Sequence, residues 1–244
     1  NGLATYLHAH FDSLSMPGQA MATDEVKEEM IAMMKALDEA YNAHDTEAVV
    51  SFFTDDAVFD APPLEPFDKQ GEREMLEWYW EFWPNFTLAN PLHLASSSDK
   101  VGVTEHSDLY SHPDTGTPIE TPHICVKDFE GDKMNRLTVY GDFWADELIQ
   151  AGLMPPRKLG NMVPSFALPE PEATGLSPME ASTEFMARLN SHDLPNVAKM
   201  ISKDVDVWFP FINRTATRPE FIDIYEQMLG GFSDAHWETI RRVD

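Results

Sequence analysis

The sequence contains a single cysteine, Cys125, in 244 residues, which excludes an internal disulfide and any cysteine-based zinc site. Basic residues are scarce: 17 Lys and Arg stand against 42 Asp and Glu, a formal charge of 17 − 42 = −25. Nucleic acids and anionic membrane surfaces reward Lys and Arg, so neither is an expected partner. No apolar run approaches the roughly 18 residues needed to cross a bilayer, and membrane insertion is not expected. A phosphate-binding glycine loop, a Gly-x-Ser-x-Gly elbow and a His-Glu-x-x-His helix are also missing. Nucleotide-driven, serine-nucleophile and zinc-protease chemistry therefore leave the field, and no cofactor is expected. The chain opens on Asn1-Gly2 with no recognisable signal or transit segment, which leaves the compartment open.

What is present is ordinary for a globular protein, 43% hydrophobic and 24% charged, with an internal repeat. NAHDTEAVVSFFTDDAVF at 42–59 aligns without gaps on NSHDLPNVAKMISKDVDV at 190–207, with 5 of 18 positions identical; unrelated segments would share about one. Further on, EMLEWYWEFWPNF (74–86) matches EFIDIYEQMLGGF (220–232). The start of the chain, ending at Asp12, resembles the segment that ends at Asp142. The expected organisation is the last strand of a preceding copy at 1–19, a complete copy at 22–156, a proline-bearing linker at 157–176, and the front half of a further copy at 177–244. Such a chain would be a window from a tandem array, or a permuted arrangement whose ends complete each other.

Within the complete copy, Val26, Met30, Met33, Met34, Leu37 and Tyr41 form one face of an amphipathic helix over 24–42. Asp45 is placed to cap a short second helix. Residues 57–61 read as a strand and 71–83 as a third helix, followed by alternating strands near 101–110, 119–129 and 134–143. In the second copy Ser177, Pro178 and Glu180 form a capping box with the favoured proline. Helices followed by a run of strands make an α+β plan.

The order helix, Asn-x-His-Asp, helix, Asp-Asp-Ala-Val-Phe, Gly-Asp-Lys-Met, Tyr-x-Asp, Gln150-Ala151-Gly152-Leu153 resembles the SnoaL-like branch of the nuclear-transport-factor-2-like superfamily. The resemblance implies a cone-shaped, strongly curved antiparallel sheet wrapped around helices, with a pocket inside. It also implies a choice of functions, since relatives include cyclases, isomerases, dehydratases and many non-enzymes. Asp142 would be the acid–base aspartate that cyclase-type relatives keep at the mouth of the last strand; its other reading is a cap for 143–150.

His106 and His123 lie on expected strands with Tyr110 and Tyr140 nearby, a set suited to removing a proton and polarising a carbonyl. Asp60 is a further candidate pocket residue. His8, His10 and Asp12 share one strand face and could ligate a metal. The complete copy has Thr138, Tyr140 and Asp142 in those places, so no metal is expected. The third helix carries two apolar stripes, one of Met75, Tyr79 and Phe82 and one of Leu76, Trp80 and Trp83. One stripe serves the core, which makes Trp78, Trp80 and Trp83 the expected interface with a neighbouring copy or another subunit. The expected function is binding of a small apolar or carbonyl molecule, with cofactor-free acid–base activity of lyase or isomerase type. The alternative is a non-catalytic assembly or scaffold module in a larger complex.

Overall fold

The computed structural model describes residues 25–61, 64–141, 145–155, 162–209 and 214–238. These fall into two compact units, one running to residue 155 and one from residue 162. No helix among the described residues is long and apolar enough to cross a membrane.

The first unit opens with α1 (Glu25–Asn42), whose inward face buries Met30, Met34 and Leu37. α2 (Thr46–Ser51) follows, capped by Asp45, whose carboxylate accepts from the Ala48 amide at 2.9 Å. Then come β1 (Phe53–Asp60), α3 (Lys69–Phe82), β2 (Thr87–Ser96), β3 (Val101–Ser111), β4 (Pro118–Glu130), β5 (Lys133–Tyr140) and α4 (Ala145–Gln150). The strands make one curved sheet in the order β1-β5-β4-β3-β2. The fold is α+β as expected, but the sheet is not wholly antiparallel, because β1 pairs with β5 in parallel.

β2 has no counterpart among the sequence-based elements. Pro91 and the left-handed Asn90 (φ 54°) disguise it, and both are tolerated because β2 is an edge strand whose register slips between Ala89 and Leu92. β1 likewise begins four residues before the expected strand. Phe53, Phe59, Met134 and Leu137 join the α1 residues in the core between helices and sheet.

The second unit contains α5 (Pro178–Asn190), α6 (Leu194–Lys199), the short antiparallel pair β6 (Val207–Phe209) and β7 (Arg214–Ala216), and α7 (Arg218–Gly231). Its own core includes Phe185, Leu189, Val197, Phe221 and Ile222. The Ser177 capping box is present, with Glu180 accepting from the Ser177 amide at 2.9 Å. The described part of the expected linker does not run free: Met162, Phe166 and Leu168 pack on this core, and Arg218 donates to the Pro169 carbonyl at 2.7 Å.

The repeated Asn-x-His-Asp sequence does the same work in both units. Asn42 exchanges two hydrogen bonds with the Leu88 backbone (2.7 and 3.2 Å), and Asn190 does so with Trp237 (both 2.8 Å). His44 and His192 both adopt positive φ (54° and 58°) and bind the carbonyls of Phe86 and Ala235. The motif is thus a folding device that ties a helix end to a later segment. Residues 1–24, which hold the expected strand of a preceding copy with His8, His10 and Asp12, lie outside the described residues.

Candidate functional site

Strand parity builds the site. On β3 the buried positions alternate through Thr104, His106, Asp108 and Tyr110, and on β4 through Thr121, His123, Cys125 and Lys127. The antiparallel register sets His106 opposite His123 and Asp108 opposite Thr121, so both polar stripes face the helices. Between them and α1, α3 and α4 lies a cavity of about 740 Å³, within the size range of small-molecule sites. Its walls are mostly apolar, led by Tyr79, Trp80, Trp83, Phe86 and Leu137.

Asp108 organises the polar end. One carboxylate oxygen lies 2.8 Å from His123 Nδ1 and the other 3.2 Å from His106 Nε2, all three side chains being buried. Burial alone would raise the Asp108 carboxyl, but the two imidazoles outweigh it and hold it below the usual carboxylate range. The imidazole planes stand perpendicular, 5.9 Å apart. With the His106 proton on Nε2 toward Asp108, its Nδ1 carries the lone pair, and Nδ1 is buried without a hydrogen-bond partner. The Trp83 indole N–H is likewise buried and unpartnered on the same cavity wall. Such orphaned polar atoms are uncommon in folded interiors and fit a site completed by a ligand.

A second buried polar group adjoins the first. Lys127 donates to Thr104 Oγ1 at 2.6 Å, the same oxygen lies 3.1 Å from His93 Nδ1, and His93 Nε2 is 3.3 Å from Asp38. Burial pushes His93 down to about 4, so this imidazole is neutral near pH 7. It raises the Asp38 carboxyl and lowers the Lys127 ammonium. Cys125 is pushed up to about 12 by burial and is an inert thiol. On the α4 side of the cavity, His112 lies 3.9 Å from Glu147. Among the described residues, His106, Asp108 and His123 are the three side chains close enough to hold a metal ion together, with ligand atoms within 4.8 Å. A metal there would compete with the contacts that both imidazoles make to Asp108.

The expected site residues are divided by this geometry. His106, His123 and Tyr110 meet in the cavity. Asp142 lies outside the described residues. Tyr140 does not line the cavity: Leu137 and Val139 do, and alternation turns 138 and 140 to the other face. Asp60 also faces away, paired with Arg136 at 2.7 Å on the outer side of β1. The interface expectation is corrected for two tryptophans. Trp83 is buried against Tyr79 and Tyr110, while Trp80 stacks on His44 at 4.4 Å and donates to Thr46 Oγ1 at 3.0 Å. The cavity needs a second apolar wall, and the second stripe of α3 supplies it. Only Trp78, 48% exposed and stacked on Phe82, remains at the surface. Asp108, Asp38 and Lys127 were not anticipated, although the period-2 pattern His106-x-Asp108-x-Tyr110 was there to be read.

Gly141 shows how tightly His123 is held, because a Cβ there would overlap the imidazole Cδ2 and Nε2 atoms. Gly141→Ala is expected to push the ring off Asp108. Imidazole ¹⁵N spectra should show the Nδ1–H hydrogen bond weakened, and unchanged spectra would mean the ring is held elsewhere.

Residues 34–137 match the model of the SnoaL-like domain family. No curated protein matches in sequence. Among solved structures, a Xanthomonas campestris protein provisionally named a polyketide cyclase is 15% identical, with 52% of this chain and 98% of that one covered at a TM-score of 0.48. IdmH of Streptomyces antibioticus, also provisionally a polyketide cyclase, is 20% identical over 50% of this chain and 97% of its own, with a TM-score of 0.45. A Catenulispora acidiphila protein with a ketosteroid isomerase-like fold, solved with trimethylamine, is 12% identical over 49% and 92%, with a TM-score of 0.45. By sequence, residues 34–137 match the SnoaL-like domain family, and they fold as helices against a curved α+β sheet.

Proposed function

We propose that the first unit binds a small, largely apolar carbonyl compound and catalyses proton transfer on it, in a reaction of lyase or isomerase type. The observation that carries this reading is Asp108 holding two imidazoles at one end of an otherwise aromatic cavity. An imidazole is the side chain best suited to move protons near neutral pH. His106 Nδ1 takes the proton α to the carbonyl, and the imidazolium so formed is stabilised by Asp108 through Nε2. The Trp83 N–H is a donor for the oxygen on which negative charge develops. Low polarity around the reacting atoms strengthens both interactions. Asp142 keeps its proposed place as a further acid–base group.

The test uses 2-tetralone, an enolisable aromatic ketone, in deuterium oxide. Wild type is expected to quench its own tryptophan fluorescence on binding and to speed deuterium entry at the α-carbon. His106→Gln should bind equally and lose most of that exchange. Binding without catalysed exchange would overturn the acid–base reading, and no binding of any such ketone would overturn the pocket reading. The alternative, an assembly module, is favoured by edge strand β2, which exposes Leu92 and Leu94 (47% and 56%) beside unpaired backbone groups. It predicts concentration-dependent association in sedimentation experiments by a protein that turns over nothing.

A further inference from the structure

We propose that Lys127 is a covalent site in the same cavity, its amine forming an imine with an aldehyde or ketone bound there. The inference rests on the reading that the cavity admits an apolar carbonyl compound, but it concerns a different residue and a different bond.

Lys127 is 2% exposed, lines the cavity, and projects from the inner stripe of β4 two positions beyond Cys125. Lysines are almost never fully buried unless paired. Among the described residues this one has no carboxylate within ion-pairing distance, and its hydrogen bond goes to a neutral hydroxyl, Thr104 Oγ1. Acidic groups do face it, Asp38 from α1 and the Cys125 thiol from its own strand, while His93 reaches it through Thr104 and His106 shares the cavity. Neither acid cancels the desolvation of the ammonium, and the balance favours the neutral amine relative to a surface lysine. A neutral, desolvated lysine amine is the nucleophile used wherever proteins make Schiff bases. The one hydrogen bond of the Lys127 side chain, to Thr104, does not require a lysine at this position: a smaller polar residue would meet it.

The neighbours supply the proton steps. The Nζ lone pair attacks the carbonyl carbon, forming the N–C bond as the C=O π pair moves to oxygen, which takes the Asp38 proton; the nitrogen, now cationic, returns one of its own protons to the Asp38 carboxylate and leaves a neutral carbinolamine. The carbinolamine hydroxyl then takes that proton from Asp38 and departs as water, while the nitrogen lone pair closes the C=N bond of the iminium. Asp38, whose carboxyl is held toward its protonated form by burial, lines the same cavity and lies 3.3 Å from His93, which contacts the Thr104 hydroxyl that accepts from Lys127, so it is the acid for these transfers. The iminium is a stronger electron sink than the parent carbonyl, and it would assist the proton removal assigned to His106.

The full chain is incubated with 2-naphthaldehyde and sodium cyanoborohydride, which reduces an iminium in preference to an aldehyde. Intact mass and peptide mapping follow. A parallel fluorescence titration with 2-methylnaphthalene, which lacks the carbonyl, reads occupancy of the cavity. The expected result is one dominant adduct, the mass of the aldehyde less one oxygen atom, on Lys127. Its labelling should exceed that of each surface lysine about tenfold for every unit by which the ammonium is depressed, and excess 2-methylnaphthalene should suppress it. Lys127→Met, an apolar replacement of similar length, should lose this adduct and still bind 2-methylnaphthalene. Occupancy with no preferred adduct on Lys127 overturns the proposal and leaves the pocket reading intact. Absence of occupancy overturns both. Labelling unchanged by 2-methylnaphthalene or by Lys127→Met would assign the reaction to surface lysines and also overturn it.

Discussion

Asp108→Asn is expected to lower proton exchange at a bound ketone about 10²–10⁴-fold, the range typical for disabling a positioned acid–base group. The size of the effect follows from geometry. Each carboxylate oxygen faces one imidazole nitrogen, at 2.8 Å for His123 and 3.2 Å for His106. An asparagine keeps the volume but presents one N–H₂ where an acceptor stood. One imidazole must then turn its lone pair inward, and the His106 tautomer that leaves Nδ1 as base is no longer favoured. Binding of 2-tetralone should change little, because the aromatic wall is untouched, so the loss appears in the rate and not in the affinity. Fluorescence titration and α-deuteration on the same samples separate the two. An exchange rate equal to wild type would show that Asp108 is a structural pair for the histidines and that the base lies elsewhere.

What was legible in the sequence had strong periodicity behind it. α1 was readable because Met30, Met34 and Leu37 recur at helical spacing, and β3 and β4 because burial alternates over residues 102–111 and 118–130. β2 was hidden because an edge strand can afford a proline and a left-handed residue that a central strand cannot. At the site, alternation could name pairs of residues sharing a side but not which side faced the helices. That was decided by the register across β3, β4 and β5, a tertiary fact. Hence His106, His123 and Tyr110 line the cavity as expected of pocket residues, while Tyr140, of the opposite parity on β5, does not. Asp108 was passed over because an aspartate within a polar strand resembles a solvated residue until two imidazoles enclose it. Trp80 and Trp83 were read as an interface because a domain with one core needs one apolar helix face; a domain with a core and a cavity needs two. The Asn-x-His-Asp motif, read as a mark of the repeat and of the family resemblance, is architecture.

Glu72→Gln is expected to stabilise the first unit at pH 8 by about 3 kcal/mol and to have little effect near pH 4.5. Glu72 sits on α3, 1% exposed, with Oε1 accepting from the Tyr41 hydroxyl at 2.8 Å and Oε2 without a partner. Burial pushes its carboxyl from 4.5 up to about 7, and the Tyr41 hydrogen bond offsets only part of that. The folded state therefore retains a proton that the unfolded chain has already released between pH 4.5 and 7. Across that window stability falls as pH rises, by about 1.4 kcal/mol per unit, and above the folded value no further loss accrues. Glutamine has no proton to lose, matches the volume, and can still accept from Tyr41, so the variant should lack this slope. Asp38 and Glu147 are raised in the same direction and shape the wild-type curve too, which is why the informative quantity is the difference between wild type and variant. Urea unfolding of the full chain, followed by tryptophan fluorescence from pH 4.5 to 8, measures it: Trp78 and Trp80 of α3 and Trp83 just after it report on this unit, and the signal of Trp208 and Trp237 in the second unit is common to wild type and variant. Unfolding curves that stay parallel across the whole range would mean that Glu72 ionises equally in the folded and unfolded chain, with water reaching Oε2.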